Sequence, residues 1–219
     1  MADPFSLVAA GAALGGIASK VTEKVWESSE RWLRERFGSH AAEAQEKARE
    51  NAAKFVHQLA IRISGLERMH SLDQEKVSNE QRNPQFSFVL QQTIINAART
   101  CEPEKHDLLA RLVADRLTTS SETTFALASD MASDAIVRST RRQLHLMALC
   151  CFLDEIRPRD PITSADEYRE WLSVQLEPFA DFAFFEVDAR HLVAIACASY
   201  DPTSTRTLAS LDSHRREST

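Results

Sequence analysis

The sequence predicts an all-α protein, and three observations favour this class. All five glycines of the 219-residue chain lie at or before Gly65, so the remaining 154 residues contain none. Hairpin turns and phosphate-binding loops need glycine, because only glycine readily takes positive φ or lets the backbone approach a ligand closely. Apolar residues recur at helical spacing, and proline or capping residues separate the helical stretches. Multi-hairpin sheets, P-loops and dinucleotide-binding folds are therefore disfavoured.

Composition indicates a globular protein without a catalytic or metal centre. Apolar residues make up 43% of the chain, which is enough for a core, and the net charge is −6. That charge gives no general attraction to nucleic acid or to anionic lipid. The four cysteines lack metal-ligand spacing, and no catalytic signature motif is present. We therefore predict a cytoplasmic protein with reduced, buried thiols that is not an enzyme and binds no metal or cofactor.

The segment Pro4–Ser19 stands out because its sixteen residues carry no charge. Asp3 precedes it, where a secretory signal would have positive charge, and the run is shorter than the about 20 apolar residues that span a bilayer. Gly11 and Gly15 have the G-x-x-x-G spacing that lets two helices approach closely. We expect this leader to be covered by its own chain, by a second copy, or by a lipid bilayer. The residues predicted for membrane contact or self-association are Phe5, Leu7, Val8, Gly11, Leu14, Gly15, Ile17, Val21, Val25 and Trp32.

Residues 1–72 are predicted to form a long helical hairpin. The first arm covers residues 7–37, either as one amphipathic helix or as two in series broken near Gly15–Gly16, and Gly38 ends it. The second arm covers about residues 39–70 and has its apolar residues on one face. Each arm would be about 45 Å long at the rise of an α-helix.

Residues 73–83 are polar and are predicted to link the hairpin to a second domain. That domain is a helical bundle at 84–210, and a polar tail follows at 211–219. Asn83 and Pro84 favour a helix start, because asparagine caps helices well and proline fits their first turn. Two further helices are predicted, one beginning at Pro103 and one near Glu122.

The longest apolar run of the second domain is residues 144–153. It lies in a helix whose start carries the capping-box pair Thr140 and Gln143. A helix that is apolar on all sides must be surrounded by other elements. We therefore predict that this helix is the central core element of the domain.

The end of the second domain is predicted to be less regular. Ser164 and Glu167 form another capping-box pair, and Asp188 is predicted to cap a short helix. Residues 200–208 are rich in β-branched residues and turn formers. The sequence therefore leaves open whether the bundle ends in a small winged-helix-like β hairpin.

A dense group of titratable residues surrounds Pro103. A carboxylate–histidine metal site is conceivable there, but acidic residues also favour the first turn of a helix because they interact with its dipole. We take the second interpretation, without a metal. The residues of this group are Glu102, Glu104, His106 and Asp107.

Arg138, Arg141 and Arg142 form a local basic group that could contact an anion or a carboxylate of a partner. From Arg138 to the C-terminus the chain has ten arginines against thirteen acidic residues. A module that neutralises phosphates normally carries a basic excess, so nucleic-acid binding is disfavoured.

Three segments carry a resemblance to a known protein type: KHDLLARLVADRL, TRRQLHLMALCCFL and HLVAIACASYDPTSTRTL. Together with the apolar leader, the charged hairpin and the polar linker, they resemble bacterial proteins of the Abi-alpha abortive-infection type and a neighbouring uncharacterised family with the same layout. The resemblance covers most of the chain and includes no catalytic motif. It implies a role in phage defence or cell suicide, in which the leader and hairpin act on a membrane and the C-terminal part senses a trigger or assembles.

The sequence therefore predicts a non-enzymatic defence effector whose leader acts on a membrane or drives assembly into a homo-oligomer. Another protein of the defence system is a further predicted partner. Two alternatives stay open: a soluble oligomeric adaptor that never meets lipid, and a winged-helix-type nucleic-acid binder. Any location at the inner membrane would be peripheral and would depend on apolar burial rather than on charge.

Overall fold

The computed structural model describes residues 4–69, 74–119, 123–158, 162–181, 183 and 185–199. Within these residues the chain forms ten α-helices and no strand, which confirms the predicted all-α class. The β hairpin predicted as an alternative at residues 200–208 lies outside the described residues. The helices are α1 Pro4–Ala12, α2 Gly16–Phe37, α3 Ala42–Arg68, α4 Gln74–Gln81, α5 Pro84–Ala98, α6 Pro103–Arg116, α7 Thr124–Arg138, α8 Arg141–Glu155, α9 Ala165–Leu176 and α10 Glu186–Ala194, with a 3-10 turn at Glu177–Phe179.

The chain divides into two compact units, Met1–Arg138 and Ser139–Thr219, so the division lies elsewhere than at the predicted linker 73–83. The physical reason is that α3, the second arm of the hairpin, packs against α5 and α6 as well as against α2. The predicted linker itself contains α4, which packs on α5 and buries Val77. Its polar composition is that of a short surface helix with one buried contact.

Unit 1 (Met1–Arg138) is built around α3, which contacts α1, α2, α5 and α6. Alanines on α3, including Ala52, Ala53 and Ala60, are fully buried, and their small side chains let the neighbouring helices approach closely. Phe55 and Ile63 are also fully buried and fill the space between these contacts. The sequence feature that makes α3 central is therefore a mixture of small and large apolar residues on more than one face.

The leader helix α1 packs against α2 and α3 of its own chain. Val8 is buried, and a Cβ added at Gly11 would lie 3.1 Å from the Cβ of Ala60 and 3.3 Å from the Cγ2 of Thr22. The close helix contact that the glycine spacing predicted is thus made within the chain. Gly15 takes no part in it, because α1 ends at Ala12 and nothing lies within 4 Å of a Cβ at Gly15.

The break between α1 and α2 is held by a long-range cap. Gly15 and Gly16 have φ of 76° and 58°, a backbone conformation that favours glycine. The backbone N–H of Ile17, in the first turn of α2, donates to both carboxylate oxygens of Glu67 at 3.2 and 3.1 Å. The negative charge of Glu67 also interacts favourably with the positive end of the helix dipole. A residue at the end of α3 therefore supplies the cap that α2 lacks locally.

The structure places most of the predicted membrane or self-association residues inside unit 1. Of the large apolar residues in this set whose side chains are described, only Leu14 is exposed, at 45% of its surface. The structure therefore shows that the leader is buried by its own chain. No described helix has both the length and the apolar content that crossing a membrane requires. Val8, Gly11, Val21 and Val25 are buried, Leu7, Ile17 and Trp32 are partly buried against the core, Gly15 is exposed, and the side chain of Phe5 lies outside the described residues.

Unit 2 (Ser139–Thr219) contains α8, α9 and α10 and buries few apolar side chains among its described residues. These are Leu146, Leu172, Ala189 and Leu192. The prediction that α8 is surrounded on all sides is wrong, because Gln143 and Leu146 are its buried residues and much of its apolar run is partly or fully exposed. Its packing partner α10 is nine residues long and covers one side of it.

Candidate functional site

The candidate site is an apolar cleft between α8 and α10 in unit 2. It encloses about 330 Å³ and lies at the surface of the unit. Clefts of this size and apolar character are typical of sites that bind a ligand or an anchoring side chain. Its walls are Leu146, Met147, Cys150 and Cys151 of α8, Ala189 and Leu192 of α10, and Cys197, Ala198 and Ser199 after α10.

A charged brace joins the amino-terminal ends of α8 and α10 at one end of this cleft. Asp188, which is buried, receives two contacts from the Arg142 guanidinium, at 3.0 Å to Oδ1 and 2.7 Å to Oδ2. The amide of Gln143 donates to the same Oδ1 at 3.4 Å. The guanidinium also lies 4.8 Å from the centre of the Phe185 ring, a cation–π distance. The brace fixes the two cleft walls relative to each other at this end.

Capping residues predicted from the sequence form part of this brace. The Thr140 hydroxyl accepts from the Gln143 N–H at 3.2 Å while the Gln143 side chain accepts from the Thr140 N–H at 2.9 Å, so the capping box is confirmed. Asp188 caps α10 from its third position, because its Oδ2 accepts from the Phe185 N–H at 2.9 Å. The Arg142 hydrogen bond, and then that backbone contact, hold the pKa of Asp188 below its usual value. Asp188 therefore stays ionised and keeps the brace intact at neutral pH.

The other end of the cleft is formed by a tight turn after α10. The N–H of Cys197 donates to the Leu192 carbonyl at 2.9 Å and the N–H of Ala196 donates to the Val193 carbonyl at 3.0 Å, which is the Schellman pattern of a helix end. Ala196 has φ of 58°, a conformation that normally requires glycine. The turn brings Cys197 back against Leu192, so both residues line the cleft.

Replacing Ala196 with glycine is expected to relieve this backbone strain and to stabilise α10 by about 0.5–1 kcal/mol. The measurement is the local opening free energy of α10 from hydrogen exchange in the full chain. Ala198→Gly, two residues further on, is the matched control and should give no stabilisation, because Ala198 has no positive φ to relieve. Equal stabilisation by both variants would show that the φ of Ala196 is not strained.

The thiols in the cleft are more accessible than the sequence predicted. Cys150 and Cys151 are exposed, Cys197 is half-buried, and Cys101 in unit 1 is exposed as well, so the prediction of buried thiols is wrong. Partial burial, and secondarily the neighbouring Cys151, raise the pKa of Cys150. A protonated thiol is a weak nucleophile and a good apolar contact. The thiols of this cleft therefore suit it to binding an apolar group and not to nucleophilic chemistry.

The predicted basic group is divided between the two units, with Arg138 in unit 1 and Arg141 and Arg142 in unit 2. Arg142 is engaged by Asp188 in the brace, and Arg138 pairs with Asp134 one turn away at 3.7 Å. Arg141 is exposed and also interacts within the chain. The charge of Arg142 is matched inside unit 2 by Asp188, and its contact with an anion or a partner carboxylate stays a prediction.

The titratable group around Pro103 also separates into structural contacts. Glu102 pairs with Lys105 at 3.0 Å, and Asp107 pairs with Arg62 at 2.7 Å. His106 is buried, and its Nε2–H donates to the carbonyls that end α5, at 3.2 Å to Ala97 and 2.9 Å to Thr100. Burial lowers the pKa of His106 and favours the neutral ring, whereas the two carbonyl contacts act in the opposite direction and are outweighed. Across the described residues no three His, Cys, Asp or Glu side chains are grouped so that they could hold a metal ion.

A second cavity of about 340 Å³ lies in unit 1 where α2 meets α3. Its wall includes Glu30 and Arg49, which form an ion pair with each other, and the exposed Arg34 and Glu46. Because its wall combines these charged side chains with Leu33 and Phe37, this cavity offers less apolar surface to a ligand than the cleft of unit 2 does. The cleft of unit 2 is therefore the better candidate.

A protein-family model matches residues 20–215, which include most of both units and exclude α1 and the first four residues of α2. The chain belongs to that family. The family description names no activity and does not mention the abortive-infection type, so that resemblance stays a prediction. No curated protein and no solved structure matches the chain. The cleft of unit 2 lies wholly within the residues that the family model matches.

Proposed function

We propose that the protein is a non-enzymatic interaction protein whose unit 2 docks a protein partner in the cleft between α8 and α10. The observation that carries the proposal is the apolar, open cleft itself, held at one end by the Arg142–Asp188 brace and at the other by the turn at Ala196. Hydrogen bonds within unit 2 fix both ends, which favours a cleft that is already formed before a partner binds. A preformed site binds without first having to order its walls.

Exposed apolar side chains outside the cleft support a protein partner rather than a small molecule. Phe185 is 60% exposed, Val187 64% and Val193 41%, and all three lie on α10 or directly before it. A small molecule would fill the cleft and leave these side chains in water. A protein surface laid over the cleft would also cover Val193, which follows the cleft-lining Leu192, whereas Val187 lies on the opposite face of α10. Burial of each large apolar side chain would contribute about 1.5–3 kcal/mol.

Unit 1 has the features of a stable carrier for the docking unit, which supports the proposal. Its core is closed around α3, and its leader helix is packed on α2 and α3. We therefore favour the adaptor alternative over a leader that acts on lipid. The defence role and self-association stay predictions, and sedimentation equilibrium of the full chain would measure the second.

The test uses an uncharged amphipathic peptide of leucine and glutamine, about four helical turns long, as a probe of the full chain by fluorescence anisotropy. We expect saturable binding that Cys151→Trp weakens about tenfold or more, because the indole fills the cleft from its exposed rim. Cys101→Trp is the matched control, since Cys101 is an exposed cysteine in unit 1. It should bind the peptide as the unmodified chain does.

Two results would contradict the proposal. One is the absence of saturable binding to the unmodified chain. The other is equal binding by the Cys151→Trp and Cys101→Trp variants, which would place the peptide outside the cleft. Circular dichroism of both variants checks that each retains its helix content.

A further inference from the structure

We infer that the partner segment is an amphipathic helix that places a basic side chain about one turn beyond its apolar anchor. This inference rests on the proposed docking function and names the partner's chemistry. It follows from the direction in which α8 and α10 run and from the charges near the end of the cleft that lies opposite the brace.

Both cleft helices run from the brace toward the end of the cleft that is formed by the turn at Ala196. Arg142 and Asp188 meet near the amino-terminal ends of α8 and α10, whereas Cys150 and Cys197 line the cleft near the carboxyl-terminal ends. Unpaired carbonyl groups give the carboxyl end of a helix a partial negative charge. The carboxyl end of α8 therefore brings a partial negative charge to this end of the cleft, whereas the last carbonyls of α10 are already bonded in the turn at Ala196.

Asp154 adds a full charge at this end. It follows Cys150 by four residues and Cys151 by three, which places it on the same face of α8, one turn beyond the cleft wall. Asp154 and the adjacent Glu155 are exposed, and α8 has no basic residue in its last turn. These carboxylates have no ion pair with any described residue.

The rest of unit 2 reinforces this field. From Ser139 to the C-terminus the chain has nine arginines, no lysine and thirteen acidic residues. Three of those arginines, Arg142, Arg169 and Arg190, are already paired with acidic residues of the same unit. A cationic partner is therefore attracted to this unit, and an acidic one is repelled.

A helical partner suits the geometry of the cleft better than an extended one. The described part of unit 2 has no strand edge to which an extended peptide could add. A groove between two helices accepts apolar side chains spaced along a third helix. Met147 and the thiols of Cys150 and Cys151 are soft, adaptable contacts for such side chains.

The test compares two peptides of equal length and equal leucine content, one with lysine and one with glutamate at the polar positions, bound to the full chain. We expect the lysine peptide to bind about tenfold more tightly at low salt, and the difference to shrink strongly at about 0.5 M salt. Asp154→Lys should remove most of the preference for the lysine peptide. Asp181→Lys, the same change at an exposed site of unit 2 that does not line the cleft, should remove much less.

Three other results of this peptide experiment would each overturn a different part of the proposals. Equal binding of both peptides, with both weakened by Cys151→Trp, would overturn the basic-partner inference and leave the docking function standing. Equal losses from Asp154→Lys and Asp181→Lys would overturn the assignment to the cleft end in favour of the general charge of the unit. Binding of the lysine peptide that Cys151→Trp does not weaken would overturn the docking function itself.

Discussion

Phe55→Ala is expected to lower the free energy of unfolding by about 3–5 kcal/mol, one of the two largest effects of any single substitution proposed for this chain. Phe55 is fully buried in the middle of α3, the helix that contacts α1, α2, α5 and α6. The aromatic ring would be replaced by a methyl group, and the close alanine contacts around it leave little freedom for the helices to move into the cavity. Denaturant unfolding of the full chain, followed by circular dichroism, measures the change.

The matched control is Phe88→Ala on α5. Phe88 is 63% exposed, so the same substitution removes an aromatic ring that is mostly in water. We expect a change below about 0.5 kcal/mol, as for most surface substitutions. Similar losses from both variants would mean that α3 is not the centre of the core, or that Phe88 is covered by a partner in solution. Dilution would separate these explanations, because only the second depends on protein concentration.

Local chemistry allowed the sequence to predict where several helices begin. The Asn83 side chain accepts from the Gln85 N–H at 2.9 Å and Pro84 follows as the first helical residue. Thr140 with Gln143 closes a capping box in the same way. These contacts join residues two or three positions apart, so the pattern of residue types is enough to find them.

The grouping of helices could not be predicted in that way, because it depends on contacts between distant residues. The predicted linker contains α4, and Glu67 caps α2 across fifty positions of sequence. In the sequence, the polar residues of α4 are equally compatible with an irregular linker and with a short helix on the surface. Only the packing of Val77 distinguishes the two cases.

The candidate site escaped prediction for a related reason. Residues 144–153 have the composition of a central helix, and a helix with this composition is surrounded only if enough neighbours are long enough to cover it. The described α10 is short, and the cleft that it leaves exposes Cys150 and Cys151. The brace that fixes the cleft joins Arg142 to Asp188, which no local pattern pairs. The available signal was the excess of apolar residues in α8 over what the following short helices could cover.

Glu80→Gln is expected to destabilise unit 1 by about 3 kcal/mol, because it leaves a buried charge without its partner. Arg116 is 1% exposed, and its Nη1 lies 3.5 Å from Oε2 of Glu80 on α4. The same nitrogen donates to the Thr119 carbonyl at 3.0 Å, whereas Nε has no hydrogen-bond partner among the described residues. Glu80 is therefore the group that compensates the guanidinium charge. Chemical denaturation of the full chain measures the loss, and Glu75→Gln, at an exposed position of the same helix, is the matched control.

A double variant separates loss of the ion pair from loss of packing at α4. Arg116→Met removes the buried charge and keeps a long apolar side chain, so adding it to Glu80→Gln should recover most of the lost stability. Replacing an imperfectly hydrogen-bonded ion pair by uncharged groups is often neutral, since the charges no longer have to be desolvated. If the double variant were as unstable as the sum of the two single variants, the two residues would not be coupled. The stability of α4 on unit 1 would then depend on apolar contacts such as Val77, and the Glu80–Arg116 pair would be incidental.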